Sequence, residues 1–311
     1  MDEEEIEAII VTEEESGERL DKILSQRYST IQSRTYFQHL IDQGCVLLNG
    51  EQVKKRIKPK VGDEIQIQFI LSPEITLQPE AIPLTIIYED EDILIVNKPS
   101  GMVVHPAIGN WTGTFVNALL HHCQNLQAAV EASASLRPGI VHRLDKDTTG
   151  LLMAAKHIKA QQRLVEMFSG RRIHKEYLAI CIGHPGNRRI EAPIGRHPVH
   201  RKQMAVVETG KEASTVCEVL WTDGEISYVK LILETGRTHQ IRVHLKHIGC
   251  AILGDPVYGN AAWNRRYGLE RPLLHASLLR FLHPITGKEI QVEAPVPADM
   301  DVIRRRKEKK S

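Results

Sequence analysis

Pro138-Gly139-Ile140-Val141-His142-Arg143-Leu144-Asp145-Lys146-Asp147-Thr148-Thr149-Gly150, followed at once by Leu151-Leu152-Met153-Ala154-Ala155, decides how this chain is read. The apolar run after Gly150 is short, bounded by turn residues, and predicts a buried strand. The polar loop before it is dense in ionisable groups. Such a loop packed against a buried strand suits a carboxylate held in a cleft. The same residues, taken alone, would equally make a salt-bridged turn.

Further short apolar runs surround this one: Ile93-Leu94-Ile95-Val96, Tyr177-Leu178-Ala179-Ile180 and Val229-Lys230-Leu231-Ile232-Leu233. Between them lie helical stretches such as 158–168, where Ala160, Leu164 and Phe168 keep a spacing of four. Strands and helices without regular alternation predict an α+β fold, built on a mixed, mainly antiparallel sheet flanked by helices and loops. Residues 71–84, with Pro73, Pro79 and Pro83, read as an extended linker.

Upstream of that linker, Leu20, Ile23, Leu24 and Tyr28 share one helical face, and Ser33 is placed to cap a second helix carrying Tyr36, Phe37, Leu40 and Ile41. Gly44 stops it. Val46-Leu47-Leu48 then meets Asn49-Gly50, a strong hairpin signal, and Ile65, Ile67 and Phe69 alternate as a later strand. Cations crowd this small module: Arg19, Lys22, Arg27 and Arg34 on the helices, and Lys54, Lys55, Arg56, Lys58 and Lys60 beside the hairpin. Residues 16–70 resemble the S4 RNA-binding domain, a small α/β module, which implies that Arg19, Lys22, Arg34, Lys54, Lys55 and Arg56 contact RNA phosphates.

Composition narrows the class. No apolar run approaches the roughly 18–20 residues that span a bilayer, and the acidic start does not look like a basic leader, so a cytoplasmic protein is expected. The formal charge of +1 is uneven, because residues 1–15 hold eight Asp or Glu and no Lys or Arg, leaving an excess of about nine positive charges on the remainder. Both ends, acidic 1–15 and basic 301–311, are expected to be solvated tails. The five cysteines are scattered without a Cys-x-x-Cys pair, and there is no His-Glu-x-x-His, Walker or Gly-x-Gly-x-x-Gly motif. Neither a metal nor a nucleotide cofactor is expected.

Over 85–300 the chain resembles the RluA/RluD-type RNA pseudouridine synthases. Their His-Arg-Leu-Asp signature matches His142 to Asp145. Their Asn-Lys-Pro-x-Gly-x-x-x-His-Pro segment matches Asn97 to Pro106, and their central tyrosine segment Lys175-Glu176-Tyr177. The downstream segment matches Thr235-Gly236-Arg237-Thr238-His239-Gln240-Ile241-Arg242-Val243-His244-Leu245, and the match continues through Gly254-Asp255-Pro256-Val257-Tyr258-Gly259 to His283, Pro284 and Gly287. The resemblance implies that Asp145 is the catalytic carboxylate, that Tyr177 stacks on the uracil, that Arg242 pairs with Asp145, and that Arg143 takes the place of the extruded base.

That chemistry breaks the N1 glycosidic bond, turns the base and rejoins it through C5, so no group is gained or lost and no cofactor is required. The aspartate acts as an anion, which a bidentate guanidinium favours. Ile241, Leu245 and Ile248 recur at helical spacing while His239, Arg242 and Lys246 fall on the opposite face, which is expected to look into a cleft. Extruding a base costs a few kcal/mol of unstacking. A stem-loop, where bases are already partly free, is the expected target. An S4-like module joined to this catalytic type resembles enzymes acting on large-subunit ribosomal RNA, of the RluD or the RluC kind, and a monomer is expected. A non-catalytic RNA-binding or ribosome-assembly protein, and a hydrolase of the nucleoside bond, are the competing readings.

Overall fold

In the computed structural model the described residues are 6–28, 34–68, 78–105, 112–123, 126, 138–200 and 203–308, and the chain divides into two compact units, Met1–Thr76 and Leu77–Ser311.

The first unit carries β1 (Ile6–Ile10), α1 (Leu20–Arg27), α2 (Arg34–Asp42), β2 (Val46–Leu48), β3 (Glu51–Gln52) and β4 (Glu64–Gln68). Its antiparallel sheet runs β1-β4-β2-β3. Asn49 and Gly50 both hold positive φ, 52° and 83°, as the tight turn between twisted strands requires. Ile65 and Ile67 turn to one face of β4 and pack with Leu20, Ile23, Phe37 and Leu40. Ser33 and Phe69, expected as a helix cap and a strand residue, lie outside the described residues.

The expectation of a solvated acidic tail over 1–15 is corrected for residues 6–15. Ile6–Ile10 form a strand whose Ile9 lies opposite Ile65 of β4, Val11 is buried, and Glu15 pairs with Arg27. Three isoleucines among the acids give the segment strand propensity, and pairing it covers an edge of β4.

The second unit contains β5 (Ile86–Glu89), β6 (Ile93–Lys98), α3 (Phe115–His122), β7 (Thr149–Ala155), α4 (Ile158–Ser169), β8 (His174–Ile182), β9 (Arg188–Glu191), β10 (Ile194–Arg196), β11 (Met204–Val206), β12 (Ser214–Thr222), β13 (Ile226–Leu233), α5 (Gln240–His247), α6 (Ala261–Tyr267), β14 (Leu274–Leu282), β15 (Glu289–Glu293) and α7 (Ala298–Glu308). Among the described residues the main sheet has the order β5-β6-β7-β14-β8-β13-β12-β9, with β15 on β14. Among the described strands, only β7 and β14 pair in parallel. A separate ribbon joins β10 to β11.

Every residue of β7 is buried, because both faces of the sheet are covered. Leu152 and Ala154 join Leu94, Val96, Phe115 and Leu119 on one face, so α3 packs there. Leu151, Met153 and Ala155 join Ile93, Ile95, Ala160 and Leu164 on the other, so α4 packs there. The period of two along β6 and β7 thus sorts two cores.

Two more expectations change. Within the linker assigned to 71–84, residues 78–84 lie along the second unit: Asn117 Nδ2 donates to Gln78 O, and Ile82 and Leu84 pack on the core. Of the basic end, residues 301–308 are helical rather than a tail, since Met300 and Ile303 sit three residues apart and bury beside Leu253 and Leu273. No helix among the described residues is long and apolar enough to cross a membrane.

Candidate active site

The loop Ile140–Thr148 enters β7 with Asp145 at its tip, and the local sequence fixes it from below. Leu144 is buried in the core, and Thr148 N–H donates back to Asp145 O at 3.1 Å. Lys98, at the end of β6, is fully buried, and its ammonium donates to the carbonyls of Pro99, Met102 and Lys146 at 2.9, 3.0 and 2.8 Å. Gly101 N–H also reaches Lys146 O. The Asn97–Met102 segment is therefore a bracket under the Asp145 loop. Burial pulls the Lys98 ammonium down to about 8.

His142, half-buried beside the same cleft, is held in place by β7 and α4. Its Nε2 accepts from Met153 N–H at 2.9 Å and its ring stacks on Phe168 at 4.6 Å between centroids. Burial, with a smaller push from the Lys175 charge, brings its pKa down to about 3, so the ring is neutral.

Asp145 opens into a cleft of about 440 Å³ whose walls include Arg143, Phe168, Lys175, Tyr177 and Arg242. That volume lies in the range of small-molecule sites. Tyr177 stands on β8 and is 7% exposed; burial, then the Asp145 charge, pushes its phenol far up, so it stays protonated. Lys175 lies 5.8 Å above the Phe168 ring, and burial lowers its pKa. Arg143 is exposed at the rim.

Arg242 comes from α5, whose seating explains its reach. Gln240 is buried and satisfies four groups, accepting from Arg237 N–H and the Thr235 hydroxyl and donating to Ser214 O and the Thr215 hydroxyl. His244 bonds the Thr215 hydroxyl and Ala192 O. Ile241 and Leu245 pack into the core, as their spacing predicts. From the opposite face Arg242 donates through Nη1 to Asp145 Oδ2 at 3.0 Å.

The same guanidinium grips a second carboxylate. Its Nε and Nη2 donate to Asp255 Oδ2 and Oδ1 at 2.7 and 3.0 Å, and Asp255 is 1% exposed. Burial acts to raise the Asp255 carboxyl, but Arg242 and the N–H groups of Val257 and Tyr258 hold it below its ordinary value. On Arg242 burial acts to lower the pKa and the two carboxylates outweigh it, so the cation is secure.

The structure thus brings Asp145, Tyr177, Arg242 and Arg143 to one cleft. The six cations expected to hold RNA are divided. Arg19 and Arg34 both bond the buried carboxylate of Asp21, Lys22 pairs with Glu18, and Lys55 pairs with Asp42. Lys54 and Arg56 are exposed, with no carboxylate partner among the described residues. Sequence reasoning gave no role to Asp255, Lys98 or Tyr258, although each sits in a quoted motif; the available signal was a carboxylate thirteen residues beyond Arg242.

Among the described residues, one cluster has metal-ligand proximity: Asp90, Asp92 and His283. His283 Nδ1 accepts the N–H groups of Ile285 and Thr286, which leaves the proton on Nε2, 3.1 Å from Asp90 Oδ2. That nitrogen, turned toward the two carboxylates, is the one a metal would need.

Comparison with known proteins gives the family of the chain. Residues 92–247 match the model of the RNA pseudouridylate synthase family, and residues 18–65 match that of the S4 domain. The ribosomal large subunit pseudouridine synthase D of Escherichia coli (strain K12) is 43% identical over 303 residues, covering 93% of this chain and 90% of its own. An uncharacterized RNA pseudouridine synthase of Bacillus subtilis (strain 168), YlyB, is 42% identical over 295 residues, covering 94% and 95%. Among solved structures, human RNA pseudouridylate synthase domain containing 1 superposes with a TM-score of 0.56 at 26% identity, covering 74% of this chain and 96% of its own. The chain belongs to the RNA pseudouridine synthases, isomerases that convert uridine in RNA to pseudouridine.

Proposed function

We propose that Asp145 is the carboxylate that acts on the uridine, and that the RNA is a stem-loop of large-subunit ribosomal RNA. The observation that carries the first part is the bond from Arg242 to Asp145 in a cleft that also holds a buried, protonated Tyr177. A carboxylate with one oxygen engaged by Arg242 and the other reaching into the cleft, 3.8 Å from His239 Nε2, suits attack on, or proton removal from, the sugar. Tyr177 offers the extruded uracil a ring to stack on, and Arg143 at the rim is placed to fill the gap left in the RNA stack. The second part rests on the names of relatives such as the Escherichia coli enzyme and on the S4 match. In this reading the enzyme works as a cytosolic monomer without metal or nucleotide, because the reaction only rearranges one nucleoside.

The test is release of tritium from RNA labelled at uridine C5, with protein alone. Asp145→Asn is expected to abolish release while RNA binding stays within a few-fold; full release by this variant overturns the assignment. Mapping pseudouridines in ribosomal RNA with and without the gene tests the target.

A further inference from the structure

We propose that His239 is a positioning residue for Asp145, acting as a neutral hydrogen-bond donor on the carboxylate oxygen that Arg242 leaves open, with its tautomer set by Tyr258. The inference rests on the reading of Asp145 as the reacting carboxylate.

Three observations converge on this side chain. The first is its backbone. His239 has φ 57° and ψ 20°, a left-handed conformation adopted by only three non-glycine residues among those described. It stands at the N-cap of α5 but makes no capping bond with its side chain. A conformation that costs energy and serves no cap is retained for where it sends the side chain.

The second is where the ring goes. His239 lines the cleft, and its Nε2 is 3.8 Å from Asp145 Oδ1, whereas Arg242 Nη1 is 3.0 Å from Oδ2. The carboxylate therefore has a strong donor on one oxygen and a ring nitrogen facing the other. At 3.8 Å the second contact is open, and a small rotation of the carboxylate closes it.

The third is the proton inventory. Met204 N–H donates to the Tyr258 hydroxyl oxygen at 2.8 Å, and that hydroxyl lies 2.8 Å from His239 Nδ1. Tyr258 is 3% exposed, and Nδ1 is the acceptor its hydroxyl hydrogen has among the described residues. Nδ1 thus accepts, and in the neutral ring the proton sits on Nε2, directed at Asp145. The order is Met204 N–H to Tyr258 oxygen, Tyr258 O–H to Nδ1, and Nε2–H to Asp145 Oδ1. Tyr258 is itself fixed under Arg242, whose guanidinium carbon is 4.9 Å from the ring centroid. One tyrosine thereby orders both donors of the carboxylate.

Such a donor steers the reacting lone pair without adding the full positive charge that would quench the anion further. Its loss slows the chemical step and leaves RNA affinity alone.

The experiment is single-turnover tritium release from a C5-tritiated transcript of bacterial large-subunit ribosomal RNA, with RNA affinity and melting temperature measured in parallel. His239→Gly removes the ring and relieves the left-handed backbone; it is expected to slow release by roughly 10–100-fold, the range of a lost bond to a charged group, with affinity within about two-fold. His239→Gln, whose amide N–H reaches near the Nε2 position, is expected to recover most of the loss. Tyr258→Phe keeps the ring under Arg242 and removes one oxygen; it is expected to slow release by about 3–10-fold, and combined with His239→Gly to add nothing. Release at the wild-type rate by His239→Gly overturns the inference. So does a loss that tracks RNA affinity, a Gln variant no better than Gly, or multiplicative losses in the double variant. If His239→Gly does not fold, Tyr258→Phe carries the test by the same rate-against-affinity comparison. Asp145→Asn run alongside separates the two readings. If it is fully active, the role of Asp145 falls and the inference with it; if it is inert while His239→Gly is fully active, only the inference falls.

Discussion

At the scale of single residues, the site is organised by one guanidinium shared between two carboxylates. Asp255 takes Nε and Nη2 of Arg242 in a buried pair and leaves Nη1 for Asp145. Asp255→Asn therefore strips charge from the buried end and leaves Arg242 with a single carboxylate. The expected cost is about 3 kcal/mol of stability, read as a lowered melting temperature, because a buried cation loses most of its compensation. Catalysis should fall further than the folded fraction does. A variant as stable as wild type would show that Asp255 is not needed to hold the cation. His142 gives a pH dependence with a definite sign. Its folded pKa, about 3, lies below the ordinary 6.5, so between those values the unfolded chain takes up a proton that the folded chain refuses. The contribution of His142 is complete above about pH 6.5 and is lost progressively as pH falls. His142→Gln, which can still accept from Met153 N–H, is expected to lose less stability than wild type between pH 7 and 5 in thermal melts. Parallel pH profiles would refute the neutral ring.

At the scale of elements, the loop that carries Asp145 depends on the seam where β7 meets β14. Gly150 sits there with φ 109°, opposite Ala276 of β14 and Lys98 of β6. A Cβ at that position would lie 2.2 Å from Ala276 O, a backbone atom that cannot move aside. Gly150→Ala is expected to destabilise by roughly 2–5 kcal/mol, through strain and overpacking, and to weaken catalysis in whatever fraction folds. Denaturant titration measures the first, and an unchanged midpoint would contradict it. The seam also shows what could be read beforehand. The apolar run Leu151–Ala155, the helix after it and the Asn49-Gly50 hairpin follow from local patterning, since each needs only its own residues to declare itself. The edge strand Ile6–Ile10 and the helix over Ala298–Glu308 were hidden by charge runs that outweighed two or three apolar residues in composition but not in packing. Asp145, Tyr177 and Arg242 could be picked out through the pattern of motifs, whereas the Asp255 pair and the Tyr258–His239 contact are tertiary facts. No spacing rule joins Met204 to Tyr258 fifty-four residues later.

At the scale of the whole molecule, the S4 match and the cleft that holds Asp145 fall to different units of the chain. The first unit's cations are not equivalent, and the ion pairs decide which are available to RNA. Arg19, Arg34 and Gln38 all donate to Asp21, whose side chain is fully buried in α1, so Arg34 and Gln38 are occupied with holding α2 to α1 and Arg19 with the start of α1. Replacing Arg34 with Ala should cost about 1 kcal/mol of stability and change RNA affinity little. Lys54 and Arg56 are exposed beside the hairpin with no carboxylate partner among the described residues, so meeting a phosphate costs them no existing bond. The double change Lys54→Ala with Arg56→Ala should therefore weaken RNA binding by roughly ten-fold at moderate salt and flatten the dependence of log affinity on log salt by about 1 to 2, as expected when two phosphate contacts release fewer counterions. Single-turnover tritium release at saturating RNA should stay at the wild-type rate, since neither residue belongs to the unit that holds Asp145. A filter-binding salt titration reads the slope directly. An unaltered slope would show that phosphates are held elsewhere on the first unit, and a reduced saturating rate would show that these cations also shape the RNA presented to the cleft.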